Sequence, residues 1–209
     1  FANKFISSIV IINLFIVSIS AKAQQGKDGI KTVVGTEYVN EYTYLEQDAM
    51  LGSQHIYVNS SNLNYNNRFT KNLAKGDLLF IIQVQGADIQ NTNNEFYGQI
   101  LNYNNCGNYE FVQVDSVLNA NVIALSCALQ KSYSHEGKAV VVRVPRYKSL
   151  TLSSGSKLTC DAWNGNIGGL LIIEVQNDLL MNSGGSIDVS LKGFRGGSRH
   201  DTVSEWGVL

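Results

Sequence analysis

Apolar residues in this chain alternate or come in short bursts with the period of strands, and no stretch after residue 25 forms a convincing helical stripe. Residues 78–84, LLFIIQV, are bounded by Gly76-Asp77 and Gly86, which predicts a mostly buried strand. Residues 109–117 and 122–127 flank Leu118-Asn119-Ala120-Asn121 and predict a hairpin, because asparagine tolerates turn conformations. Between 139 and 144, Val140, Val142 and Val144 share one face while Val141 and Arg143 share the other. Pro145, the single proline, has no N–H to give to a ladder and ends that strand. The nearest approach to a helix is 42–51, with Tyr44, Leu45 and Met50 on one face, but it passes through Gly52 into strand-like Ile56-Tyr57-Val58.

After Pro145 the pattern changes. Apolar pieces at 150–152, 157–159, 169–175, 178–181 and 186–191 recur between glycine-containing or polar turns. Leu171, Ile173 and Val175 alternate inward, and Ile187, Val189 and Leu191 repeat that alternation sixteen residues later. Pieces this short cannot bury an apolar face alone, whereas stacked coils of a parallel solenoid can. The expected fold is therefore all-β. Residues 26–145 form an antiparallel β domain with Asn-rich loops, and 148–191 form the first coils of a right-handed parallel β-helix; the alternative is a continued antiparallel β-sandwich. Thirteen of the fifty residues from 59 to 108 are asparagine, so much of that region is expected to be connection, with disorder the competing reading at 90–95. A glycine-rich tail at 192–209 lacks the cap a β-helix requires, so the natural protein is expected to continue.

The first residues read as a secretory signal. Lys4 supplies a short basic head, residues 6–19 are apolar except for Ser7, Ser8, Asn13 and Ser18, and Ala21-Lys22-Ala23 gives a small-x-small exit. The continuous apolar part, 9–19, is too short to cross about 30 Å of hydrocarbon, which argues against a transmembrane anchor. No cysteine follows it, which argues against a lipoprotein, and the opening Phe1 suggests a chain cut from a longer frame. Removal of residues 1–23 takes away Lys4 and Lys22 and moves the net charge from -1 to -3. With no Lys/Arg tract, nucleic acid is not an expected partner. A secreted or outer-surface product is expected.

Candidate chemistry is sparse. Export permits one disulfide, and Cys106–Cys127 is the favoured pair, although the loop around Cys106 must fold back to reach it; three unpaired thiols are the alternative. His55, His135 and His200 have no second ligand at metal spacing, and no Gly-x-Ser-x-Gly elbow marks a nucleophile. Polysaccharide cleavage needs two carboxyls about 5 to 9 Å apart on an open face. Glu174 and Asp188, at equivalent outward positions of successive coils, are the candidate pair, with an ordinary solubilising role as the alternative. Asp161 and Asp178 read as turn residues; calcium at Asp178 is conceivable, although one carboxylate without a loop motif makes a poor site. Tyr57, Tyr65, Tyr97 and Tyr103 in Asn-rich loops offer rings for stacking on a surface polysaccharide or gripping a protein ligand, unless they half-pack beneath the loops.

Several segments also carry a resemblance. Lys75-Gly76-Asp77-Leu78-Leu79, Ile82-Gln83-Val84-Gln85-Gly86-Ala87 and Tyr109-Glu110-Phe111-Val112 are followed by Arg143-Val144-Pro145-Arg146-Tyr147, Trp163-Asn164-Gly165-Asn166-Ile167-Gly168-Gly169 and Lys192-Gly193-Phe194-Arg195-Gly196-Gly197. In this order they resemble segments of large extracellular Bacteroidetes proteins, adhesin-like or gliding-associated, exported by the type IX secretion system. The resemblance spans about 70–197 and implies an N-terminal module behind a signal peptide, with repeats and a sorting domain downstream. It implies no catalytic residue. A non-catalytic structural or adhesion module is the expected function; the alternative is a carbohydrate-active β-helix protein that binds or cleaves polysaccharide.

Overall fold

Three apolar clusters divide the molecule into an antiparallel half, a parallel half and a layer between them. A computed structural model describes residues 24–195. The expected signal segment 1–23 and residues 196–209 of the glycine-rich tail, His200 included, lie outside the described residues. The fold is all-β, with no helix among the described residues. The chain begins with β1 (Ile30–Val33) and β2 (Thr36–Tyr38). It continues through β3 (Glu41–Tyr44), β4 (His55–Tyr57), β5 (Leu78–Gln83), β6 (Asp88–Ile89) and β7 (Ile100–Asn102). Next come β8 (Tyr109–Asn119), β9 (Val122–Leu125) and β10 (Ala139–Val144). It closes with β11 (Arg146–Tyr147), β12 (Ser149–Leu152), β13 (Lys157–Thr159), β14 (Glu174–Val175), β15 (Leu179–Met181) and β16 (Ser186–Ile187).

The antiparallel sheet has the order β3-β10-β5-β8-β9-β4. Its β8–β9 register shifts twice, at Val114/Ser116 and Val117/Asn119. Extra residues at such bulges raise the local twist and bend the strand. The sheet curls into a half-barrel whose outer strands meet at a Leu45–Val58 bridge. There Glu46 N–H donates to Tyr57 O at 2.9 Å and Asn59 N–H to Tyr44 O at 3.0 Å. Inside lie Leu79, Ile81, Val112, Val114, Ile123 and Val141, all buried. Val140, Val142 and Val144 face the other way, onto Phe80 and Trp163. Burial on both faces explains why β10 is nearly uninterrupted valine. Its one charge, Arg143, reaches into the Asn-rich loop. It donates to Leu63 O at 3.0 Å and Lys71 O at 3.1 Å, pairs with buried Asp77 at 2.9 Å, and lies 3.9 Å from the Phe69 ring centre.

The parallel half consists of three short ladders, β1-β12-β15, β2-β13-β16 and β11-β14. This corrects the sequence-based boundary. Residues 30–38, expected in the antiparallel domain, instead join the parallel half, because Ile30 pairs with Ser149 and Thr36 with Lys157. The chain thus lays down β1 and β2, leaves at Asn40, builds the half-barrel and returns at Pro145. The sixteen-residue repeat is also corrected. Residues 171–175 and 187–191 are not paired neighbours; β14 pairs with Arg146–Tyr147 and β16 with Lys157–Leu158. The repeat is 28 residues from Arg146 to Glu174 and 29 from Leu150 to Leu179. Leu171, Ile173 and Val175 do pack inward, against Val33, Leu150, Leu152 and Leu158. Leu170 and Ile172 face the half-barrel, so this strip joins the halves.

Asn40 ties the chain's entry into the half-barrel to its return. Fully buried, it donates from Nδ2 to Arg143 O at 3.1 Å and Ile172 O at 2.7 Å, and accepts from Ile172 N–H at 3.0 Å.

The expected Cys106–Cys127 bridge is absent, and Cys106, Cys127 and Cys160 are all free thiols. The hairpin register gives the reason. Ser126 N–H donates to Gln113 O, which puts Cys127 level with Val112, whereas Cys106 lies in the turn before Asn108. Four residues of extended chain, about 13 Å, separate those levels; a disulfide spans at most about 7 Å between Cα atoms. Thiol titration of the native protein is expected to label exposed Cys127 first and half-buried Cys106 more slowly. Buried Cys160, whose pKa burial raises, should react only on unfolding.

Candidate functional site

Glu174 and Asp188 lie in different ladders, each engaged by its own cation. Glu174 sits on β14 and takes the Arg146 guanidinium in a two-point contact, with Nη2 at 3.2 Å from Oε1 and Nε on Oε2. Asp188 follows β16, in a different ladder, and accepts from Lys157 Nζ at 2.8 Å and from its own neighbour Ser190 N–H at 2.9 Å. Arg146 is the register partner of Glu174, whereas Lys157, the partner of Ser186, reaches Asp188 two residues further on. The hydrogen bond from Lys157, then that from Ser190, keeps the Asp188 carboxyl well below the usual range. A general acid must instead retain its proton near neutral pH.

The calcium expectation at Asp178 gathers no supporting ligands. Among the described residues no three His, Cys, Asp or Glu side chains converge as a metal site requires, and the Asp178 carbonyl is taken by Leu150 N–H at 2.9 Å. His135 Nδ1 lies 2.7 Å from Asp48, whose carboxyl is lowered chiefly by that hydrogen bond, and His55 sits on β4 opposite Ala124.

What the fold does bring together was not legible along the chain. A cleft of about 540 Å³ opens between β3, the loop 59–68 and the loop 161–168. On one side is Tyr42, whose hydroxyl donates to Leu170 O at 2.6 Å and is pushed far up by burial, so it stays a neutral, fixed wall. Tyr44 is half-buried and Tyr65 is 81% exposed. Asn62, Ser60 and Asn164 add amide and hydroxyl groups. At the base, Arg68 holds Asp161 through two nitrogens, Nη2 lying 3.0 Å from Oδ1, and also donates to Asn40 O. Buried Glu41 has both oxygens occupied by Asn66, whose N–H lies at 2.9 Å and Nδ2 at 3.0 Å. One cation and two carboxylates line the cleft.

Of the four tyrosines expected to offer rings to a ligand, only Tyr65 lies here; Tyr57 is on β4, and Tyr97 and Tyr103 belong to the β6–β7 arm. Glu41 and Arg68 had no signal in the sequence, and Asp161 read only as a turn residue, since 93 residues separate Arg68 from Asp161.

No family model and no curated protein matches the chain. Among solved structures, it is similar to the Gp54 tailspike of Acinetobacter baumannii bacteriophage AP22, a structure in complex with A. baumannii capsular saccharide. The identity is 12% and the TM-score 0.33, covering 77% of this chain and 29% of that one. The tailspike gp61 of Pseudomonas phage phi297 is 11% identical, with a TM-score of 0.33 over 76% of this chain and 20% of that chain. The tailspike gp49 of Pseudomonas phage LKA1 is 14% identical, with a TM-score of 0.29 over 65% and 25%. The chain therefore spans less than a third of each tailspike's length.

Proposed function

We propose that this chain is a non-catalytic adhesion module of a secreted or surface-exposed protein, and that its ligand is a neutral polysaccharide held in the Tyr44–Tyr65–Arg68 cleft. The parallel ladders are then the opening coils of a β-helix, right-handed as parallel crossover connections nearly always are. The secretory start and the likeness to Bacteroidetes surface proteins support the location.

One observation carries the reading. The cleft combines exposed aromatic surface with neutral amides and hydroxyls, while Arg68 and Asp161 are tied to each other and Glu41 to Asn66. A sugar ring presents an apolar C–H face beside hydroxyls, so it suits a ring flanked by donors and acceptors. Two carboxylates against one guanidinium give the cleft a slight negative balance, which disfavours a polyanion. With Glu41 engaged by Asn66 and Asp161 by Arg68, neither carboxylate is free to act as base or nucleophile.

The test is a binding screen against neutral and acidic surface polysaccharides using the whole chain. Tyr65→Ala is expected to weaken binding of the best neutral ligand about tenfold, the equivalent of about 1.4 kcal/mol. Unchanged affinity, or preference for a polyanion, would overturn the assignment.

A further inference from the structure

We infer that Lys31 and Glu37 are an end cap that closes one end of the parallel stack against the addition of another strand. This inference rests on the ladder registers and is independent of the polysaccharide reading.

Residues paired in a parallel ladder point the same way, so each inward position is a column through the three coils. One column is Lys31–Leu150–Leu179, a second is Val33–Leu152–Met181, and a third is Glu37–Leu158–Ile187. In the middle coil Leu150, Leu152 and Leu158 are all 0% exposed, since a coil covers them on either side. At the β14–β16 end the columns finish in apolar residues that stay 40–46% exposed: Leu179, Met181 and Ile187. At the β1–β2 end two of the three columns finish in opposite charges. Lys31 Nζ pairs with the Glu37 carboxylate, with their side chains 34% and 25% exposed. Glu37 Oε1 also accepts from Val34 N–H at 3.0 Å, which fixes the carboxylate over the turn between β1 and β2.

Both β1 and β2 are edge strands. Inward-pointing charge on an edge strand is an effective barrier to pairing, because an added strand would strip water from it. Here a further coil would bury both members of the ion pair above an apolar column, with a desolvation penalty that their attraction does not reliably offset. Among the described residues the stack therefore has a direction, with a polar face at β1–β2 and an apolar face at β15–β16. Apolar residues at these two positions would remove the charge barrier and leave only the loop 66–70, which lines a cleft with Lys31 and Glu37, beside that end. The β1–β2 end would then match the apolar end of a second copy, and a head-to-tail contact of that kind need not stop at a dimer.

The experiment compares the weight-average mass of the full chain by analytical ultracentrifugation over a concentration series. Lys31→Leu with Glu37→Leu is expected to associate progressively, well beyond the wild type at equal concentration. The exchanged pair, Lys31→Glu with Glu37→Lys, keeps both inward charges and should match the wild type. Lys31→Gln with Glu37→Gln covers the case in which the leucine pair does not fold, and it too should associate more than the wild type. Circular dichroism confirms which variants are folded. Wild-type mass in the folded uncharged variants would overturn the cap, as would equal association by the exchanged pair.

Discussion

Replacing Arg143 by alanine is expected to lower the free energy of unfolding by about 3–5 kcal/mol, as breaking one side of a buried ion pair does. The guanidinium is 2% exposed and spans three segments that have no strand of their own at that point. It holds the carbonyls of Leu63 and Lys71 and the carboxylate of Asp77, and it stacks on Phe69. Burial pulls the Arg143 charge below its usual range and Asp77 opposes that pull. Its Nε finds no acceptor, so the site is already incompletely satisfied and has little reserve. Truncation leaves Asp77 buried with only Lys27 and the Ala74 N–H as partners. Urea unfolding should show a midpoint shift of that size. Arg143→Lys should recover only part of it, because an ammonium cannot reach several carbonyls in one plane. A change below about 1 kcal/mol, the level of ordinary surface substitutions, would show that the loop 59–77 stands without this anchor.

Asn40→Leu is expected to be the next most damaging change, at about 2–4 kcal/mol, because it removes three hydrogen bonds to the backbone of Arg143 and Ile172 and puts an apolar side chain in their place. Its second consequence is more specific. Asn40 is bonded to the returning strand and to the strip 170–175 that packs on both apolar clusters. Loss of that tie should loosen the parallel half from the half-barrel before either unfolds. Amide exchange at Ile172, whose N–H is bound to Asn40 Oδ1, should accelerate while the interior of β5 stays protected. Equal acceleration in both places would mean that Asn40 contributes only to global stability.

Local pattern revealed the antiparallel half well. The apolar run at 78–84 is β5, the Asn119-Ala120 hairpin joins β8 and β9, and Pro145 ends β10. In each case the strand and its stop are written within a few residues. The parallel ladders were less legible, since β1 finds its partner 119 residues later, from Ile30 to Ser149. Lys31 and Glu37 also hide β1 and β2, since their positions carry charge where the paired strands carry leucine or isoleucine. The inward alternation of Leu171, Ile173 and Val175 was correctly visible, but period-two alternation says nothing about which strand lies alongside. That is why the alternation predicts a sixteen-residue repeat where the register is 28–29. The cleft escaped for the same reason. Tyr65, Arg68 and Asp161 come to one cleft only through docking of the half-barrel on the parallel half, by the strip 170–175 and Asn40.

The most direct test of the account is amide hydrogen exchange of the full chain, with and without the tightest-binding neutral polysaccharide, while the polymer's length is followed in the same samples. The account predicts slowed exchange in residues 41–44, 59–68 and 161–168, little change on the β6–β7 arm, and a polymer of undiminished length. Protection confined to another surface, or a polymer that shortens as the chain acts on it, would contradict it.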